Sequence, residues 1–415
     1  MTNNALNTVK SSAGILAKLA AGTLAENLQF CKAISMADPS DYKGKNGYAA
    51  GDTVYISKPA LMTVGNSFDI TSSLQGIKEL KVPLTLDIIG SVGIDLDSQE
   101  LASTIEMKAV YERAVKPAVR AIATYVEQEC LSRMVKQTGN IVGTAGSTAF
   151  DTDTILSAGA KMSEFLAPLD DRFVLLSPQA QRSAVNSRKG FPNSSVDIAK
   201  QYKNGYMGEA DGFSYLSNNL MPRITSGTAT GSITVTATVA EGATTINLTG
   251  TGTQTLKAGQ TFTVASCNAV HPQTKADLGY LKQFVITTDS TAVAGAYTAV
   301  PLGGDPIYSS ASGSYQNISR LPTTSDVVTL GAGVGNTASA TYTQNLAFHK
   351  DAFRFVSVPL VMPDAVEFAA QETYQGITVA IVRQFDVLKR RMITRIDFLG
   401  AICATRPEWA ARITS

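Results

Sequence analysis

The sequence predicts an α+β protein interrupted by an inserted all-β module, and three observations carry that prediction. Residues 223–344, roughly, turn Thr-, Ser-, Gly- and Ala-rich, nearly lose their charge and alternate with period two. On both sides lie helical periodicities and charged residues mixed with strand signals. The longest helical pattern, over 97–137, exceeds what an ordinary globular domain uses. A β-only stretch between two α+β stretches means that the host resumes its own fold after the interruption.

Residues 1–50 read as an N-terminal arm. Leu6, Val9, Ile15, Leu16, Leu19, Leu24 and Leu28 keep helical spacing across 5–36, broken by Gly14 and Gly22. Such a helix has little core of its own; it docks on its own domain or lies along a neighbour. Residues 51–90 read as an extended β-hairpin loop. Thr53-Val54-Tyr55-Ile56-Ser57 is strand-like and Pro59 stops it. A polar stretch with Gly65 and Gly76 follows, then a second strand through Leu80, Val82, Leu84, Leu86 and Ile88. So long a connection marks a projecting, functional segment.

Residues 91–140 hold the long helix. Asp97 and Glu100 make a capping-box-like start. Val115, Val119, Ile122, Val126, Cys130 and Met134 repeat at three-and-four spacing, and Gly139 supplies the stop. At 1.5 Å per residue this helix would run about 60 Å, a strut, and Pro117 would kink it near Arg113. Residues 141–222 read as a compact α/β unit: a helix over 151–165, a buried strand Phe173-Val174-Leu175-Leu176, and a helix opened by Ser177-Pro178-Gln179.

In 223–345, Ile233, Val235, Ala237 and Val239 alternate with Thr234, Thr236 and Thr238. Ile246 and Leu248, Phe262 and Val264, Phe284 and Ile286, and Val328 and Leu330 continue the pattern. Short strands at near-regular spacing with Gly-containing turns predict a small barrel or sandwich. Residues 346–415 return to the host: 352–363 is strand-like, then Ile377, Val379 and Ile381 and Met392, Thr394, Ile396 and Phe398 alternate on either side of a turn at 386–389.

Composition excludes several classes of function. The 415 residues suffice for two or three domains. Lys plus Arg (35) balances Asp plus Glu (34), which argues against gripping nucleic acid by charge. The cluster Lys389-Arg390-Arg391 reads as a solvated strand end or a subunit contact. Cys31, Cys130, Cys267 and Cys403 show no CxxC spacing and read as buried thiols of a reducing compartment. No apolar run approaches the roughly 18 residues of a membrane span. The N-terminus lacks a signal-peptide pattern, so synthesis in a cytoplasm and a soluble protein are expected.

Catalytic constellations are missing too. His271, before a Pro, and His349, before Lys350-Asp351, read as surface or turn residues remote from any Gly-x-Ser-x-Gly elbow. Gly331-Ala332-Gly333-Val334-Gly335 lies between β segments and lacks the Lys-Ser/Thr of a phosphate loop. Asp170-Asp171 reads as a solvated turn, and no metal cluster emerges. The expectation is a protein that is not an enzyme and has no cofactor.

The order arm, long hairpin, strut helix, α/β unit and terminal hairpin resembles the tailed-bacteriophage major capsid proteins of the Hong Kong 97 type. With its inserted module the chain is most similar to the P-twenty-two-type coat proteins of short-tailed phages. Five stretches carry this: Asp95-Leu96-Asp97-Ser98 through Tyr111, Leu220-Met221-Pro222-Arg223-Ile224-Thr225, Leu256-Lys257-Ala258-Gly259-Gln260-Thr261-Phe262, Ala352-Phe353-Arg354-Phe355-Val356-Ser357-Val358-Pro359, and Ala404-Thr405-Arg406-Pro407-Glu408. Pro117 departs from the family's spine helix.

The resemblance implies a Hong Kong 97-type fold: N-arm, extended loop, a peripheral domain with its spine helix, an axial domain, and an inserted all-β barrel domain. It implies a coat protein that self-assembles as hexamers and pentamers into an icosahedral shell around double-stranded DNA. Its partners would be further copies of itself, a scaffolding protein, a portal protein and, by proximity only, packaged DNA, with no membrane. It would be found in the virion capsid, and in the host cytoplasm during assembly. Lys10 and Lys18 are the implied scaffold contacts, and Tyr55, Lys58, Lys78 and Lys81 the implied inter-subunit positions of the hairpin. Some shells of this type are cross-linked through a hairpin lysine; Lys58 is expected instead to be an ordinary exposed strand lysine. The alternatives are an encapsulin-like compartment shell and a Thr-rich surface or fibre protein.

Overall fold

The computed structural model describes residues 12–37, 50–59, 79–97, 114–143, 151–187, 208–331, 338–363, 368–387 and 391–414, with single positions 62, 64, 68, 71, 74 and 366. They fall into two units. One combines Met1–Ile56, Val82–Cys130 and Arg354–Cys403; the other combines Ser57–Lys81, Leu131–Phe353 and Ala404–Ser415.

In the first unit, alanines and leucines at three-and-four spacing bury one stripe of the helix Ser12–Asn27: Ala17, Ala20, Ala21, Leu24 and Ala25 are fully covered. The helix packs on Phe368–Tyr374 and Ile377–Asp386, strands of its own unit. Of the two readings open for the arm, docking on its own domain is the one seen for these residues. The chain then turns through a short helix, Phe30–Ala33, whose first amides are capped from elsewhere in sequence. Glu127 accepts from Phe30 N–H at 2.6 Å and Cys31 N–H at 3.4 Å. Glu127 is buried, and burial raises its pKa above the usual carboxylate range despite those donors.

The sheet of this unit runs Ser35–Met36, Phe353–Ser357, Arg391–Ala404, Ile377–Asp386, Phe368–Tyr374, with Ile88–Asp97 also paired to the long strand Arg391–Ala404. Asp97 lies opposite Arg391 at the end of that ladder. Asp97 thus ends a strand held by ten cross-strand pairs to distant sequence, and the helix start expected there with Glu100 lies outside the described residues. The described part of the expected strut is the helix Lys116–Gln137; residues 98–113, including Glu100, Tyr111 and Arg113, lie outside the described residues. Pro117 follows closely on Ala114 and Val115, which form a π-helical turn, so the helical hydrogen-bond pattern changes next to the proline as its missing N–H demands.

The hairpin strands Thr53–Ser57 and Lys81–Thr85 pair. The stretch expected as one strand from Leu80 to Ile88 is two, Lys81–Thr85 and Ile88–Asp97.

The second unit contains a seven-stranded sheet in the order Ile141–Val142, Ala410–Thr414, Thr341–His349, Arg172–Leu176, Phe213–Ser217, Glu209–Ala210, with Arg223–Thr225 paired to the start of Thr341–His349. Helices Thr152–Glu164 and Pro178–Ser187 cover one face through Ile155, Ala158, Met162, Ala180 and Ala184. Asp151 caps the first of them by accepting Thr154 N–H at 3.1 Å.

Between Arg223–Thr225 and Thr341–His349 the chain leaves and returns on adjacent antiparallel strands. Thr225 faces Thr341, their hydroxyls 2.8 Å apart. Neighbouring exit and entry points are what let a host fold tolerate an insertion. The inserted strands order as Asp277–Val285, Thr261–Val270, Val327–Leu330, Ile233–Val235, Thr245–Thr249, Ala296–Pro301. The two edges then meet: Ile286 bridges Leu302, Gly303 N–H donates to Val285 O, and Thr287 N–H to Pro301 O. The sheet closes into a barrel filled by Val235, Leu248, Phe262, Val264, Ile286 and Val300.

Candidate functional site

Where the barrel meets the rest of the second unit, the apolar pattern gives way to directed polar bonds. Arg412, on the terminal strand, is fully buried and donates from Nη1 to Gly259 O at 2.8 Å. Among the described residues it meets no carboxylate, and burial pulls its guanidinium down to about 9. Gly259 has φ +90°, and a Cβ there would fall 2.5 Å from Ile224 Cδ1, so this close turn requires glycine.

A second tie uses Gln283 of the barrel. Its Oε1 accepts Ile141 N–H at 2.9 Å and Lys161 Nζ at 2.6 Å. Burial lowers Lys161 to about 8. Tyr280 donates its hydroxyl to Glu164 at 2.8 Å, and burial raises that phenol.

The third tie is Lys58. The hairpin lysine expected at the surface is buried, its side chain 9% exposed. Its Nζ lies 2.5 Å from Asp305 Oδ1 and 3.7 Å from Glu408 Oε2. Burial opposes the ammonium, but Glu408 and Asp305 outweigh it and its pKa is raised. Glu408 is raised by burial and then by Asp305, so the two partners shift in ways that do not match a simple pair. The close contact is Lys58 with Asp305; Lys58 and Arg406 both favour the Glu408 carboxylate, but burial and Asp305 outweigh them and Glu408 is left undercompensated. Its Oε2 has no hydrogen-bond partner.

Around these groups lies a cavity of about 150 Å³ walled by Phe165, Tyr308, Tyr315, Trp409, Lys282 and Arg406. Arg406 stacks on Trp409 at 4.2 Å, and Trp409 donates from Nε1 to Phe165 O at 3.0 Å. Gly303, next to Asp305, approaches Lys136 O so closely that a Cβ would sit 3.1 Å from it.

The other candidate residues stand apart from this seam. Lys18, Tyr55 and Lys81 are exposed; Lys10 and Lys78 lie outside the described residues. His271 is a turn residue, its Nδ1 accepting from Gln273 and Thr274 N–H. His349, expected at the surface, is buried edge-on to Trp409, and its Nδ1 accepts Asp351 N–H at 3.1 Å. It is the last residue of a central strand, and burial lowers its pKa. All four cysteines are buried, and none is in a disulfide. Among the described residues no cluster of His, Cys, Asp and Glu could hold a metal, and no helix is long and apolar enough to cross a membrane.

Sequence reasoning missed Asp305, Gln283, Lys161 and Arg412. Asp305 had a readable signal, a lone acid beside Gly303-Gly304 in a nearly uncharged stretch. Arg412 and Lys161 had none, since a cation on an amphipathic element ordinarily faces water.

Among curated proteins none matches the chain. Solved structures similar to it include one from Mycobacterium phage Che8, 14% identical, covering 93% of this chain and 90% of that chain with a TM-score of 0.48. The capsid of Ralstonia phage GP4 is 9% identical over 90% of this chain and 86% of that one, with a TM-score of 0.48. The mature capsid of bacteriophage PhiM1 is 12% identical over 90% and 86%, with a TM-score of 0.41. The assignment rests on sequence: the family model described as "P22 coat protein - gene protein 5" matches residues 4–412, barrel included. That match carries with it the Hong Kong 97-type fold and a structural role in the virion capsid, and it favours neither the compartment-shell nor the fibre alternative. The chain belongs to the P22 coat protein family, the phage major capsid proteins whose copies form an icosahedral shell.

Proposed function

We propose that copies of this coat protein associate as hexamers and pentamers, with the outer hairpin of each lying over the adjoining copy. The observation that supports this is at the described positions of the hairpin loop. Val64, Phe68 and Leu74 are 95%, 110% and 73% exposed. Large apolar side chains left in water by their own chain gain about 1.5–3 kcal/mol each on full burial, and a second copy offers that burial in every subunit at once.

In this reading residues 1–50 form the arm, 51–90 the extended loop, 91–140 the spine-helix region of the peripheral domain, 141–222 the axial domain, 223–345 the inserted barrel and 346–415 the return. The barrel braces the axial sheet. A scaffolding protein guides assembly in the host cytoplasm through the arm, with Lys10 and Lys18 as its contacts. A portal protein takes one vertex, and packaged DNA is near without being gripped. The protein carries no enzymatic activity.

Electron microscopy of Phe68→Asp tests the central claim. The variant should remain folded by circular dichroism but yield few closed shells. Normal shells from Phe68→Asp would overturn the proposed role of the hairpin.

A further inference from the structure

Lys58 sits where the hairpin stops being a regular ladder. Ser57 ends its strand and Pro59 cannot extend it, yet Lys58 N–H still donates to Leu80 O at 2.8 Å, so both limbs remain joined at this level. From there the ammonium turns inward onto Asp305 and Glu408. Both acceptors are themselves held. Asp305 follows Gly303, whose N–H donates to Val285 O where the barrel closes. Glu408 lies in the short 3-10 turn Pro407–Trp409, secured by the Arg406 stack and the Trp409 bond to Phe165.

A lysine on a projecting hairpin ordinarily keeps its ammonium in water, where a loose ion pair would fix nothing. Here the charge is desolvated, and a desolvated ammonium is tolerated only in contact with its carboxylates. Displacing 57–59 from the barrel would separate them, so the ion pair admits one placement of the hairpin root. The barrel side of the contact comes from sequence 247 positions away, so local hairpin geometry cannot supply this constraint.

We infer that Lys58 is a positioning residue for assembly: through it the barrel fixes the hairpin root, residues 57–59 and 79–81, before a neighbouring copy is met. An extension already held in its bound direction loses less freedom on association. The inference rests on the proposed role of the hairpin over an adjoining copy, and it reassigns Lys58 from an inter-subunit contact to an intramolecular one.

The test compares Lys58→Met, Lys58→Arg and the double variant Lys58→Met with Asp305→Asn, which removes the latch without leaving Asp305 unpaired. Hydrogen exchange on the unassembled full chain should accelerate at least tenfold at Ser57, Lys58 and 79–81 in both Met variants. The barrel strand Thr261–Val270 should be unchanged, and Lys58→Arg should exchange as the parent does. Closed shells counted by electron microscopy should fall several-fold in the Met variants and recover in Lys58→Arg. Unchanged exchange in both Met variants, or Lys58→Arg behaving like Lys58→Met, would overturn the inference. So would faster exchange with undiminished shells. Phe68→Asp separates the two claims: shells lost there while the Met variants assemble normally would leave the hairpin contact standing and remove the latch.

Discussion

The barrel and the seven-stranded sheet belong to one unit and are built from different materials. Inside the barrel, Leu248, Leu256, Phe262, Val264 and Ile286 meet other apolar side chains, and Phe262 stacks on Phe284 at 5.4 Å. The sheet buries Gln344, Asn345, His349, Arg412 and Thr414. The cause is how many faces each must cover. A closed barrel has one interior, and its outward threonines can stay wet. The strands Thr341–His349 and Ala410–Thr414 are covered on both faces. One face carries Ala347, Ala411 and Ile413 against helices; the other carries Arg412, which bonds to the barrel. Apolar burial has no direction, so it can fill a barrel but cannot specify how the barrel sits on its host. Directed bonds from Arg412, Lys161 and Lys58 supply that specification.

The contrast can be broken most forcefully in the barrel. Phe262→Ala should cost about 3–5 kcal/mol by emptying a filled core. The loss should appear first as faster hydrogen exchange in Thr261–Val270. Trp409, the one tryptophan of the chain, reports on the sheet side by fluorescence. If its unfolding moves in step with the barrel's, the two are a single cooperative structure and the contrast is only compositional.

Arg412→Met probes the seam. It leaves Gly259 O without its donor, and a loss of about 1–3 kcal/mol in denaturant titration is expected. A gain would mean that burying an unpaired guanidinium costs more than its one bond returns.

Lys161 sharpens the same point through pH. Its folded pKa, about 8, lies below the ordinary 10.5, so the unfolded chain binds more protons between those values. Stability should therefore rise as pH climbs from about 8 toward 10.5, and Lys161→Met should lose that rise. Parallel curves for the parent and Lys161→Met in thermal unfolding against pH would show that Lys161 is not the source.

The smallest effect belongs to the outside of the barrel. Lys257 pairs with Asp289 at 2.5 Å, but both side chains are roughly half exposed. Lys257→Ala should change stability by less than about 1 kcal/mol in the same titration. A larger loss would make the outer surface as demanding as the seam.

Much of the fold was legible because it is local. Alternation of Ile233, Val235, Ile246, Leu248, Phe262 and Val264 with polar neighbours is a property of a few consecutive residues, and strands stand at each of those places. The helices Thr152–Glu164 and Pro178–Ser187 and the strand Arg172–Leu176 were readable for the same reason. His349 misled because its neighbours Lys350 and Asp351 are polar, while its own burial comes from Trp409 far along the chain.

What the amino-acid order determined by itself is the kind of protein: period-two and period-3.6 patterns, a charge-poor insertion, and a family pattern running through nearly every residue. What only the tertiary structure decided is where the charges go. Lys58, Lys161 and Arg412 each look like surface cations in sequence; Lys58 and Arg412 are buried and Lys161 half-buried, each against an acceptor more than 100 residues away. Periodicity records which face of an element is apolar, because that depends on neighbours a few residues apart. The partner of a buried charge depends on which distant segments fold together, and no local pattern encodes that.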